Sequence, residues 1–115
     1  MHRILSLAIA LVALTLPVVA SAGVTAVKPV VIQIKAIDGK PVKGIKRPSV
    51  KKGRKVRFVI WTNVGTKIHL HGYDIEKVPR KRKLTVIQFV AKVPGRFELE
   101  LHHPDVLLAQ LTVRP

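Results

Sequence analysis

Beyond its first 22 residues, the chain alternates apolar and polar side chains with the period of two that is typical of β-strands. The clearest stretch is RFELELH (residues 96–102), in which Phe97, Leu99 and Leu101 share one face and His102 lies on the other. Comparable stretches are VVIQIKAI (30–37), GRKVRFVIWTN (53–63), KIHLHGYDIE (67–76), KLTVIQFVA (83–91) and LLAQLTV (107–113). Turn-forming residues, such as Asp38-Gly39 and Pro94-Gly95, separate them.

This pattern predicts an all-β fold of about six or seven short strands, arranged as an antiparallel β-sandwich. The same spacing of strands would also permit a small barrel. The basic segment KGIKRPSVKKGRK (43–55) contains Pro48 and two glycines, so we expect an irregular connector there.

Residues 1–22 have the composition of a signal peptide. After Arg3 the run is apolar, and it ends in Ala20, Ser21 and Ala22, the small-residue pattern that a signal peptidase cleaves. We therefore expect an exported, periplasmic protein whose domain spans residues 23–115. An uncleaved membrane anchor is the alternative, because Ile4 to Ala22 reaches the ~18 apolar residues that can span a bilayer. If the segment is cleaved, no transmembrane segment remains.

The chain contains no cysteine, so neither a disulfide nor a thiolate metal ligand can form. The part that follows residue 22 has 20 lysines and arginines against six aspartates and glutamates, a net charge of +14. Such a field attracts polyanions. For an exported protein we expect an acidic partner protein or the anionic envelope surface, although a basic surface can also serve solubility alone. Nucleic acid is not expected, because aromatic residues are not interleaved with the basic runs as a stacking surface requires.

The stretch KIHLHGYDIE places His69 and His71 on the face opposite to Ile68 and Leu70. In an uninterrupted strand, Tyr73 and Ile75 would lie on the same outward face as the two histidines, although both side chains are suited to the core. We expect a β-bulge at Gly72 to reset the alternation and return these two side chains to the core side. The two histidines then project together from the outer face, with Cβ atoms roughly 7 Å apart.

The four histidines beyond residue 22 occur as two groups, His69 with His71 and His102 with His103. If their strands are neighbours about 4.8 Å apart, three imidazoles can surround one ion. His69, His71 and His102 are the natural three, and His103 is a further metal ligand that begins the loop before Pro104. The alternative is that all four are ordinary exposed residues.

Nearby carboxylates would support the hypothetical metal site. Asp74, Glu76, Glu98 and Glu100 lie close in sequence to the histidines, and they could orient imidazole rings through hydrogen bonds. They could equally form ion pairs with the abundant lysines. No other catalytic arrangement is evident: Ser49, the one serine after residue 22, lies far in sequence from any histidine, and there is no glycine-rich phosphate loop. We do not expect an enzyme.

The order of these strands resembles the cupredoxin family over roughly residues 50–113. In particular the chain is similar to small exported cupredoxin-like proteins related to the EfeO-type domain of periplasmic iron-uptake systems. The resemblance implies a Greek-key β-sandwich. It also implies that Leu101 stands where cupredoxins have their cysteine ligand and Leu107 where they have the axial methionine, so a blue copper centre is excluded because it requires a thiolate.

His69-Leu70-His71-Gly72 is similar to the His-x-His-Gly motif of multicopper oxidases, and His102 directly follows the cysteine-equivalent position, where those enzymes have another imidazole ligand. Oxidase activity is not implied, because oxidases assemble their clusters from two domains with more histidines. The expected function is therefore that of a copper-binding protein with an all-histidine site, for storage, delivery or protection. Zinc, nickel and iron also accept imidazole ligands. The alternative is a metal-free interaction module that docks an acidic partner or the envelope.

Overall fold

The computed structural model describes residues 10–23 and 25–115, and all regular structure in them is β. The first part of the expected signal peptide, residues 1–9, lies outside the described residues, and residues 10–22 form no helix or strand. Within the described part of the chain no helix is long and apolar enough to cross a bilayer. The strands are β1 (Val30–Ile37), β2 (Lys40–Pro41), β3 (Ser49–Lys51), β4 (Lys55–Thr62), β5 (Ile68–Leu70), β6 (Ile75–Lys77), β7 (Leu84–Val90), β8 (Gly95–Leu101) and β9 (Val106–Arg114).

The strands form two sheets, with orders β2-β1-β4-β7 and β3-β9-β8-β5-β6. Several neighbours are not consecutive in the chain, so connections cross between the sheets as in Greek-key folds. The expected all-β sandwich is confirmed, but its sheets are mixed. β1 pairs with β4 and β3 with β9 in parallel, because the chain leaves one sheet and later returns to it in the same direction instead of forming a hairpin.

The core lies between the sheets and contains the apolar residues predicted from the alternation. Phe58, Ile60, Leu99 and Leu101 are buried, whereas the residues between them in sequence are more exposed. Side chains that alternate on a strand point to opposite faces, so one face of each sheet supplies the core and the other meets solvent.

The basic segment 43–55 is more ordered than expected. Its residues Ser49–Lys51 form β3, which pairs with β9 and places Val50 in the core at 3% exposure. Upstream, Lys46 forms a bridge with Ala109: its N–H donates to Leu108 O (3.1 Å), and its carbonyl accepts from Gln110 N–H (2.8 Å). The expectation of an irregular connector was therefore wrong for residues 49–51. Pro48 lies before β3 and not within it, so the N–H groups of β3 remain available for pairing.

Strand β7 forms one edge of the four-stranded sheet. Outward-facing Leu84, Val86 and Val90 are exposed along it. The Lys77 ammonium donates a hydrogen bond to the carbonyl of Val86 at 2.8 Å. One backbone acceptor on this strand is therefore occupied by a charged side chain.

Candidate metal centre

The stretch KIHLHGYDIE folds as a tight hairpin. Strand β5 ends at Leu70, residues 71–74 form the turn, and β6 returns antiparallel beside β5. Gly72 has φ +82°, and a Cβ there would lie 2.4 Å from Cδ1 of Phe97, so both the backbone and the packing require glycine. The expected bulge in one continuous strand was wrong, because Gly72 reverses the chain.

The turn nevertheless returns the aromatic side chain to the core side, as predicted. The Tyr73 ring packs against Phe89 and Phe97, with 4.7 Å between ring centroids in each pair. Its hydroxyl donates to the carbonyl of Val93 at 3.1 Å. These contacts support the hairpin from beneath and hold its outer face in place.

Three imidazoles converge on the outer face of the five-stranded sheet. His69 and His71 alternate with the buried Ile68 and Leu70, and His102 directly follows the end of β8, the neighbour of β5. The N–H of His102 donates to Lys67 O at 2.9 Å, which extends the ladder between these strands by one residue. The condition on which the expected three-histidine site depended, that the two strands are neighbours, is therefore met.

The nitrogens of His69, His71 and His102 that could bind one ion all lie within 4.8 Å of one another. The ring centroids are 4.2 Å apart for His69 and His71, 5.5 Å for His69 and His102, and 6.2 Å for His71 and His102. Metal–nitrogen bonds of about 2.0–2.1 Å bring two ligands within roughly 4 Å. The three nitrogens therefore lie within about 1 Å of the separation that a shared ion requires.

Carboxylates orient two of the three rings. His71 Nε2 lies 2.9 Å from Glu100 Oε2, and His102 Nδ1 lies 2.6 Å from Asp105 Oδ1. In a neutral ring the nitrogen beside the carboxylate carries the proton and donates it to this hydrogen bond. Nδ1 of His71 and Nε2 of His102 are then the nitrogens left with a lone pair for a metal.

Negative charge is concentrated around the histidines. Glu76 and Glu100 are the cross-strand neighbours of His69 on its two sides. Together with Asp74, Glu98 and Asp105, they account for five of the six acidic residues in a chain of net charge +15. Glu76 also forms an ion pair with Lys67 at 3.2 Å, so for this carboxylate the pairing with lysine is observed. The outer face thus carries a local excess of carboxylates that favours cations.

Asp105 was not anticipated from the sequence, although it lies only three residues after His102. The hydrogen bond from His102 holds the pKa of the Asp105 carboxyl below its ordinary value, and the neighbouring His102 and His103 charges act in the same direction. A carboxylate in the same short loop as a histidine was the available signal.

His103 does not join the three converging rings. It is exposed, its backbone has φ +62°, and it is not among the three histidines whose ligand nitrogens lie within 4.8 Å of one another. The structure thus brings together three of the four histidines considered as ligands. Leu101, which the resemblance to cupredoxins puts at the position of their cysteine ligand, is 1% exposed and belongs to the core.

Comparisons with known proteins identify the fold. No family model matches the sequence, and no curated protein matches it. Among solved structures, the solution structure of a copper binding protein in the apo form has a TM-score of 0.59 at 12% identity, over 73% of this chain and 86% of that one. The metal binding domain of the Streptococcus pneumoniae Cu(I) exporting P-type ATPase CopA, solved with Cu(I), has a TM-score of 0.58 at 19% identity, over 74% and 85% of the two chains.

A third similar structure is auracyanin A, a "blue" copper protein from Chloroflexus aurantiacus, with a TM-score of 0.50 at 17% identity over 76% of this chain and all of that one. At these identities the likeness concerns the fold. The chain has a cupredoxin-like β-sandwich fold.

Proposed function

We propose that this protein is a copper-binding protein of the periplasm, which holds one Cu(II) ion through His69, His71 and His102. The observation that carries the proposal is the convergence of three imidazole rings whose ligand nitrogens lie within 4.8 Å. Imidazole nitrogen is a good ligand for Cu(II), which binds such sites more tightly than other divalent first-row metals. Similar folds in a copper binding protein and in a Cu(I) exporter's metal binding domain add support for copper over zinc, nickel or iron.

The residues around the rings suit binding and release. Glu100 and Asp105 fix the orientation of His71 and His102, and they make the opposite ring nitrogen more basic toward a metal. The half-buried position leaves the ion accessible from solvent. These properties favour storage, delivery or protection, so we propose a carrier and not an enzyme. The resemblance to small EfeO-type cupredoxin-like proteins and the multicopper-oxidase likeness of the His-x-His-Gly motif remain part of the same proposal.

Calorimetric titration of Cu(II) into the purified protein tests the site. We expect about one ion per monomer, without the intense blue colour of a thiolate centre, because the chain has no cysteine. His69→Ala, His71→Ala and His102→Ala should each weaken binding strongly. Glu100→Gln and Asp105→Asn should each weaken it by about 10- to 100-fold, since they orient ligands without binding the ion.

His103→Ala is the matched control, because it removes the histidine next to His102, which lies outside the group of three converging nitrogens. Binding should also weaken at acidic pH, since protons compete for ligand nitrogens. If the triple variant of His69, His71 and His102 binds Cu(II) as tightly as the unaltered protein, the metal site does not exist.

The proposed periplasmic location rests on export directed by residues 1–22, and cleavage after Ala22 would release a cupredoxin-like domain from residue 23 to residue 115. The Ala20-Ser21-Ala22 pattern supports this boundary. Intact-mass measurement of periplasmic protein should give a chain that begins at Gly23. A mass that retains Met1 would instead indicate a membrane anchor.

The second candidate function is a metal-free interaction module for an acidic partner or the anionic envelope. The observation that favours it is the separation of charge, because five of six acidic residues cluster near the histidines and leave the remaining surface strongly basic. A titration without histidine-dependent binding, together with retention on an acidic protein, would select this function.

A further inference from the structure

The outer face of the four-stranded sheet contains a cleft of about 450 Å³, within the usual range of about 300–1,000 Å³ for ligand pockets. Strands β1, β4 and β7 form its floor, and residues 42–46 after β2 form its rim. The side chains that line it include Lys35, Lys43, Lys46, Val59, Trp61 and Leu84. The cleft lies on the sheet that carries none of the four histidines discussed above, so the inference does not depend on the metal proposal.

The rim is tied to both sheets and is therefore preformed. Val42 N–H donates to Lys35 O at 2.8 Å, which attaches the start of the rim to β1. At its other end, Lys46 N–H donates to Leu108 O at 3.1 Å, which attaches the rim to β9. A ligand would not have to order this wall on binding, which lowers the entropic cost.

The cleft is suited to negatively charged groups. Three lysine side chains line it, and none of the described lining residues carries a carboxylate. The ammonium of Lys35 lies 5.3 Å from the centroid of the Trp61 ring, a cation–π arrangement that holds the charge over the indole. Among the described residues, none of the three lysines forms an ion pair.

The cleft also offers apolar contact, and this contact continues along the sheet. Trp61 is paired in register with Leu84, which is 64% exposed. The next outward row contains Val59 beside Val86, and the following row contains Arg57 beside Gln88. The outward-facing positions of β1, β4 and β7 include no acidic residue. A ligand longer than the cleft would therefore meet further apolar and basic groups.

We propose that this cleft and the adjacent sheet face dock an acidic segment of a partner protein, in which carboxylates flank an apolar side chain. The apolar side chain packs on Trp61 and Leu84. The flanking carboxylates pair with Lys35, Lys43 and Lys46. Charge complementarity selects a polypeptide with acidic residues, and the extent of the face favours a chain segment over a small anion.

Trp61 is the only tryptophan in the chain, so its fluorescence reports on the cleft directly. The probe is a synthetic peptide in which glutamates flank phenylalanine and leucine, titrated at 0.15 M salt. We expect saturable binding with a change in Trp61 emission. The same peptide with glutamine in place of each glutamate should bind at least 10-fold more weakly.

Two double variants of equal charge separate the cleft from the general basic surface. Lys35→Gln/Lys43→Gln should weaken peptide binding at least 10-fold. Lys51→Gln/Lys92→Gln, which removes the same charge at exposed sites outside the cleft, should weaken it less than 2-fold. Equal weakening by the two pairs would overturn the proposal, because binding would then follow net charge alone.

Two other kinds of probe test alternative ligands for the cleft, with Trp61 emission as the readout. If citrate or benzoate binds as tightly as the peptide, the proposal is overturned in favour of a small-anion site. If anionic vesicles bind as tightly as the peptide, it is overturned in favour of the envelope surface. The triple alanine variant of His69, His71 and His102 should keep full peptide affinity. If that variant loses copper binding and keeps peptide binding, the result supports both proposals and shows that the cleft acts independently of the metal site.

Discussion

At the scale of single residues, Gly72 is the position on which the histidine hairpin depends most directly. Its left-handed backbone and the nearby Phe97 ring exclude a side chain for two separate reasons. Gly44 shares the first property without the second: its φ is +80°, and no atom lies within 4 Å of an added Cβ. The two glycines therefore allow conformational and packing costs to be separated.

We predict that Gly72→Ala destabilises the protein more than Gly44→Ala does. In both variants the free energy of unfolding should fall by about 1–2 kcal/mol, because alanine is disfavoured in the left-handed conformation. In Gly72→Ala it should fall by a further ~1–3 kcal/mol, because the methyl group meets the Phe97 ring. Urea unfolding of both variants measures the difference. Equal losses would mean that Phe97 moves away at no cost.

The hydrogen bond between His102 and Asp105 predicts a dependence of stability on pH. Because this bond lowers the pKa of the Asp105 carboxyl, the ionised carboxylate favours the folded state. Its contribution is present above the ordinary aspartate value of about 3.9 and is lost as pH falls through the lower, folded-state pKa.

Asp105→Asn should therefore lower the urea midpoint of metal-free protein near neutral pH, and the difference from the unaltered protein should shrink below about pH 4. Asp105 is exposed, so the effect should be modest. Asp74→Asn serves as the control for the loss of one surface carboxylate. If the two variants behave alike at every pH, the bond to His102 has no influence on stability.

At the scale of strands, β3 links the basic segment to the core. Val50→Ala should cost about 2 kcal/mol, because it removes buried methyl groups and leaves a small cavity. Val93→Ala, at a site that is 52% exposed, should change stability by less than about 0.5 kcal/mol. Urea unfolding measures both.

Copper affinity should remain unchanged in Val50→Ala, since β3 and β5 lie on opposite sides of β8 and β9 in the five-stranded sheet. A parallel loss of stability and affinity would indicate that the histidine hairpin depends on the far edge of this sheet.

Most strands could be predicted from the sequence, because a one-sided core imposes a visible alternation. Strand β1 was predicted at Val30–Ile37, the bounds that the structure has. Strand β3 could not be predicted in this way, since three residues are too short to establish a period and only Val50 faces the core. The parallel pairs were also missed, because alternation within a strand carries no information on which strand lies beside it.

The candidate site was predictable to a similar degree. Strand phase predicted that His69 and His71 project from the same outer face, and the approach of His102 was expected on the condition that its strand is their neighbour. The positions of Asp105 and His103 depend on the geometry of the loop before β9. His103 has a left-handed backbone, and the sequence alone did not predict this conformation. The hairpin turn was mistaken for a bulge because either structure places glycine after the histidines.

At the scale of the whole molecule, an acidic patch lies within a strongly basic protein. Glu98→Gln should slow the association of Cu(II) by about two- to five-fold at 0.01 M salt, because the carboxylate attracts the ion without bonding to any of the three rings. Asp38→Asn is the control, since it removes the same charge from the β1–β2 turn. Stopped-flow measurements can compare the two.

The difference in Cu(II) association rate between Glu98→Gln and the unaltered protein should narrow at 0.15 M salt, because the Debye length falls from ~30 Å at 0.01 M to ~8 Å. If Asp38→Asn slows binding as much as Glu98→Gln, only net charge matters and the local patch does not guide the ion.

The hydrogen bond from Lys77 to the edge strand β7 has a consequence for behaviour at high concentration. An unprotected edge with exposed apolar side chains is a template for strand-to-strand aggregation. Here an ammonium occupies the carbonyl of Val86, and like-charged copies with net charge +15 repel one another. High salt weakens that repulsion, so we expect the protein to aggregate most readily in concentrated salt. Under those conditions the hydrogen bond from Lys77 still hinders pairing of β7 with a strand of another copy.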